Sequence, residues 1–242
     1  MLKDVSWFSR SVWGLLLAGL PLLILSPLVS KFGLAQFTVS FMGIAIGGLF
    51  AVLAALVAVF GLIRPLRDQG RLNTLIVFLG GLGIAGFLGY LAFSGFAAPP
   101  IHDITTNLNN PPQFKTIEAR TYPDGQPFSD TQRRALHEVG YPVLASLTIA
   151  QPVSNVTKAA ADVLTSMGLE IVDMDEGAGR IEATDTTFWF GFKDDVVVRV
   201  TAGDAGASLV DARSVSRVGL SDIGTNAKRI SAFLAKLNAK FA

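Results

Sequence analysis

The sequence predicts an α+β membrane protein, with three transmembrane helices followed by an antiparallel sheet that carries helices packed on one face. Three observations carry that expectation. Long uncharged apolar runs lie almost wholly before residue 98, and a bilayer core of ~30 Å needs about 20 such residues per helix. Beyond them, valines alternate with Asp, Arg and Thr at the two-residue period of half-buried strands. Stretches with a helical apolar period then flank the strands, as in a layered α+β domain.

Charge divides the chain at the same place. Up to Ala97 there are six Lys or Arg against two acids, and beyond it 14 basic residues face 17 acidic ones. A net acidic soluble part argues against a nucleic-acid-binding surface. With no cysteine, the chain has no disulfide, thiolate metal site or cysteine nucleophile. The expected organisation is a three-span anchor over residues 1–97, a proline-rich strap and wrapping segment over 98–150, and an α+β domain over 151–242.

Residues 11–30 form the first uncharged run, and Pro21 and Pro27 within it are tolerable where neighbouring helices satisfy the freed carbonyls. A signal peptide is the rival reading, but no small-x-small cleavage site follows. Residues 37–63 and 74–98 supply the second and third spans. Gly43, Gly47, Ala51 and Ala55, then Gly81, Ala85 and Gly89, recur every four residues and so line one helix face each. That face serves either packing of the helices on each other or docking of a membrane-protein partner through helices two and three. Arg64, Arg67 and Arg71 follow the second span, whereas Lys31 alone follows the first. The positive-inside rule then puts the N-terminus in the cytoplasm and the C-terminal domain outside, which in a two-membrane bacterium means an inner-membrane protein with a periplasmic domain.

The strap, residues 97–114, has paired prolines at both ends, which stop the third helix and enforce extended backbone. His102 beside Asp103 is either half of an acid/base or metal site or a turn-closing pair, with His137 in no sequence relation to it. FSDTQRRALHEVGY predicts a short helix capped by Ser129 or Asp130 and ended by Gly140. Val153, Val156, Ala160, Leu164 and Met167 share a face of the next helix, which Gly168 stops. LEIVDMD and RIEATDT read as a hairpin. Trp189, with Phe188 and Phe190, belongs either to the sheet core or to an apolar contact with the bilayer interface or a partner.

Residues 195–202 and 207–218 are the last strands. Alternation points Val196, Val198 and Val200 inward, with Val210, Ala212 and Ser214, and places Arg199, Asp211, Arg213 and Arg217 on the outer face. That face is either a solvated salt-bridge ladder or a recognition surface for an anion or carbohydrate. Ser221 is the expected N-cap of the final helix, whose stripe is Ile223, Ala227, Ile230, Leu234, Leu237 and Phe241, with Arg229 solvated.

Three segments, PPIHDITTNLNNPPQF, GRIEATDTTFWFGFKDDVVVRV and DARSVSRVGLSDIGTNAKRI, resemble the family called domain of unknown function 1499, over roughly residues 99–240. The three-helix anchor is similar to that of some bacterial members. Asn107 departs from the acidic residue expected after the paired threonines, which weakens a metal-binding idea for the strap. The resemblance implies no activity, catalytic residue or cofactor.

No GxSxG, HExxH, P-loop or dinucleotide fingerprint occurs. The expected function is therefore a membrane-anchored periplasmic binding or scaffolding module that contacts lipids, or an accessory subunit of a larger membrane complex, without evident chemistry. The binding residues expected are Arg199, Asp211, Arg213, Arg217, His102, Asp103 and Trp189, with no catalytic or metal site. The alternative is a cell-envelope hydrolase that uses His102 with Asp103, or Asp194, Asp195, Asp211 and Asp222 near Ser214 and Ser216.

Overall fold

The computed structural model describes residues 7–63, 68–121 and 127–242. Lys3, Asp4, Arg64 and Arg67, which enter the charge argument for orientation, lie outside the described residues. The chain forms two compact units. The first takes the described residues up to Ser94 together with Phe188–Gly191, and the second takes Gly95–Thr187 and Phe192–Ala242.

Three long helices make the first unit: α1 (Trp7–Lys31), α2 (Phe37–Ile63) and most of α3 (Asp68–Ala97). Each is long and apolar enough to cross a membrane. Small residues let their backbones approach. A Cβ on Gly19 would stand 2.8 Å from the Gly47 carbonyl oxygen of α2, and one on Gly81 of α3 would stand 2.6 Å from that of Ala51. Ala51, Ala54 and Ala58 of α2 are consequently buried between neighbours, while a Cβ on Gly83, Gly86 or Gly89 of α3 would meet nothing within 4 Å.

The second unit is a six-stranded antiparallel sheet with three helices. In chain order its elements are β1 (Asp103–Thr105), α4 (Asp130–Gly140), β2 (Leu147–Ile149), α5 (Val153–Ser166), β3 (Glu170–Asp175), β4 (Arg180–Thr186), β5 (Lys193–Ala202), β6 (Ser208–Ser216) and α6 (Thr225–Ala239). The strand order is β1-β6-β5-β4-β3, and β2 pairs with β6 further along the edge that β1 occupies. Both β1 and β2 are additions to the strands that the sequence announces.

Strand alternation decides the layers. Ile181, Ala183, Val196, Val198, Val200, Val210 and Ala212 turn one way and join α5 (Val156, Ala160, Val163, Leu164) and α6 (Ala227, Ile230, Phe233, Leu237) in a single core. Each fully buried Val, Leu, Ile or Phe side chain there contributes about 1.5–3 kcal/mol. Gly168, at φ +90°, ends the α5 segment in a left-handed conformation that a side chain would strain.

The final helix begins later than its sequence suggests. Ser221 does not cap it; the helix starts at Thr225 behind Gly224, whose φ of 80° is left-handed. The Asp222 carboxylate instead accepts from the backbone N–H groups of Gly224 (2.9 Å) and Asn226 (2.7 Å), satisfying donors that a Ser221 cap would have taken. With the start displaced, Ile223 is exposed and Phe233 is buried. Arg229 is not solvated either. It is buried against the sheet, where it donates to Asp185 (2.6 Å), Asp194 (2.7 Å) and Ser214 Oγ (3.1 Å).

Candidate functional site

The outer sheet face carries Glu182 and Thr184 from β4, Asp195 and Arg199 from β5, Asp211 and Arg213 from β6, and Asp103 and Thr105 from β1. The strap covers this face, so it is not a solvated ladder: Asp195, Asp211 and Glu182 are buried. Arg199 meets Asp211, its cross-strand neighbour, at 2.6 Å and donates to the Asn110 carbonyl at 2.7 Å. Arg213 grips Asp103 through two bonds of 2.9 and 2.7 Å and reaches the Pro112 carbonyl at 3.2 Å. Arg217 donates twice to Asp195, at 2.8 Å each. The residues that continue the strap answer in kind, because the backbone N–H groups of Lys115, Thr116 and Ile117 all donate to the Glu182 carboxylate, at 2.6, 3.0 and 2.7 Å. A carboxylate held by successive N–H groups is an anion nest, here filled by the protein itself.

At the β1 edge the strap leaves a cavity of about 500 Å³. Asp103, Thr105 and Arg213 line it from the sheet, Leu108 and Pro111 from the strap, and Asp130, Thr131, Arg133, Arg134 and His137 from α4. The capping box of Ser129 and Gln132 starts α4 at this wall. Residues at positions 130, 133, 134 and 137 then fall on one face by helical spacing. His137 Nε2 accepts the Thr105 backbone N–H at 3.1 Å, so the proton of its neutral form sits on Nδ1. Burial lowers the His137 pKa, opposed in part by the nearby Asp103 charge. Tyr141 stacks edge-on against His137 with ring centroids 5.6 Å apart, and burial pushes its hydroxyl up to about 12.

The arginines of the cavity are already engaged. Arg133 donates to Asp130 and to the Phe128 carbonyl, and Arg134 to the Leu108 carbonyl (2.9 Å) and Asn109. The lining pairs Asp103 and Asp130 with Arg133, Arg134 and Arg213, beside the apolar surfaces of Leu108 and Pro111. Such a lining offers paired donors and acceptors rather than a single strong charge.

The structure thus brings Asp103 and Arg213 into one cavity, leaves Arg199 and Asp211 under the strap, and leaves Arg217 exposed on its bonds to Asp195. His102 is fully buried, and burial together with the Arg120 charge pushes its imidazole down to about 4. Trp189 lies in the first unit and outside the sheet core. Asp194 and Asp222 belong with Ser214 and Ser216 to a network built around Asn226 and Arg229 on the helix side, opposite Asp195 and Asp211. Among the described residues no group of three or more His, Asp or Glu is placed to hold a metal ion. Thr131, Arg133 and Arg134 escaped the sequence reading, which set His137 aside for want of a sequence relation to His102; the shared face of positions 130, 133, 134 and 137 on α4 was the available signal.

The profile of the family described as Protein of unknown function (DUF1499) matches residues 103–237, and the chain belongs to that family. The match lies beyond the three long helices. No curated protein matches the chain. Among solved structures, the one titled Crystal structure of Ara h 8.0201 is 13% identical and aligns with a TM-score of 0.26 over 39% of this chain and 95% of its own. A similarity of that size carries no argument about fold or role.

Proposed function

We propose that this member of the DUF1499 family is a membrane-anchored binding module whose α+β domain, on the extracytoplasmic side, takes a saccharide unit of the cell envelope into the cavity between α4, the strap and β1. The observation that carries this reading is the lining of that cavity: Arg134, Arg213, Asp103, Asp130 and His137 ring it, with Leu108 and Pro111 on one flank. Vicinal hydroxyls donate and accept at once, and planar Arg and Asp side chains match them pairwise. The apolar flank suits the C–H face of a pyranose. A fully ionic ligand would have to displace existing ion pairs; a hydroxylated one adds to them. Three helices long and apolar enough to cross a membrane support a tether for such a module near envelope glycans.

Calorimetric titration of the full chain in nanodiscs, against a panel of envelope-derived oligosaccharides, tests this. Binding is expected for the wild type. Arg134→Ala, which removes an exposed wall residue outside the core, should weaken it by about tenfold to a hundredfold, corresponding to one charge-assisted hydrogen bond of about 1.5–3 kcal/mol. A folded wild type that binds no saccharide of the panel would overturn the reading.

A further inference from the structure

The connection between β4 and β5 bears Phe188, Trp189 and Phe190, and it belongs to the membrane unit. It packs where α1 ends and α2 begins. Gly191, at φ +66°, approaches so closely that a Cβ there would lie 3.1 Å from the Lys31 Cα. Lys31 Nζ sits 4.5 Å from the Phe188 ring centroid, and the Phe190 ring lies 5.3 Å from that of Phe41. Phe190 therefore fixes the loop to α2, while its two neighbours remain outward. Phe188 is 72% exposed and Trp189 56%, paired edge-to-face with centroids 5.2 Å apart.

What covers those rings follows from where the loop is held. Residues 32–36 join two candidate spans, and a non-helical turn between two membrane helices must lie at the bilayer boundary. The same turn exposes Phe32 (67%) and Leu34 (76%), residues costly to leave in water and well suited to the upper acyl region. Trp and Lys are the side chains that favour this depth, the indole for its apolar body and polar N–H, the ammonium for its reach to lipid phosphates.

We propose that Phe188 and Trp189 form an interfacial anchor that enters the headgroup–acyl boundary of the leaflet around the α1–α2 turn. The occupant is lipid, and the anchor ties the β4–β5 connection to the membrane independently of any ligand in the cavity. The test uses the full chain with Trp7→Phe and Trp13→Phe, so that Trp189 is the sole tryptophan, reconstituted in nanodiscs. Lipids brominated at a shallow or a deep acyl position, and aqueous iodide, serve as quenchers. The anchor requires severalfold stronger quenching by the shallow bromines than by the deep ones, with weak quenching by iodide. Strong iodide quenching without bromine quenching would overturn it in favour of a water-exposed loop. Protection from both would overturn it in favour of a protein partner.

Discussion

Burial and partner, more than residue type, set what the individual groups do. His102 beside Asp103 has the composition of an acid/base pair, yet its imidazole is buried and held down at about 4, first by desolvation and then by Arg120. The native state refuses a proton that the unfolded chain accepts near 6.5, so the stabilising contribution is complete above that pH and is lost as pH falls toward 4. The size is about 3 kcal/mol at the lower limit. His137, also lowered by burial, has the same sign. Asp222 has the opposite one: its raised carboxyl holds a proton more tightly when folded, so falling pH favours the native state through Asp222 and offsets part of the loss. Denaturation midpoints of the soluble unit within the full chain should fall between pH 6.5 and 4, and His102→Gln should flatten that slope. An unchanged slope in the variant would assign the dependence elsewhere. Arg229 shows why such roles escape a sequence: a basic residue in an amphipathic helix fits a solvated position, and its partners Asp185 and Asp194 are remote in the chain.

Elements with their own period were legible, and those stabilised by another element were not. The helical stripe of α5, the alternation of β5 and β6 and the β3–β4 hairpin depend on local spacing, and each stands where that spacing puts it. The three-residue strands β1 and β2 are too short for any period and exist through β6. Residues 115–117, which continue the strap, have none because their amides bond to the Glu182 carboxylate of the sheet. That carboxylate holds residues 115–117, the continuation of the strap, against β4. Glu182→Gln replaces an acceptor oxygen by a donor facing N–H groups, and is expected to cost about 3 kcal/mol. Amide exchange at residues 115–117 should accelerate selectively. Exchange there that matches the wild type would show that the strap is held by its other contacts.

At the scale of the whole molecule, the three long apolar helices were legible as hydropathy, because apolar length is a property of every residue of a span at once. The cavity was only half visible: Asp103 and Arg213 stood out by charge, whereas α4 reaches the same wall through tertiary packing that no local pattern encodes. The proposed saccharide capture requires the outward-facing domain that the positive-inside rule leads one to expect from the arginines after the second span. The most direct test fuses alkaline phosphatase, and separately a fluorescent protein that matures only in the cytoplasm, after Ala242 in a two-membrane bacterial host. An active phosphatase and a dark fluorescent protein are predicted. An inactive phosphatase with a bright fluorescent fusion would place the domain in the cytoplasm and contradict the account.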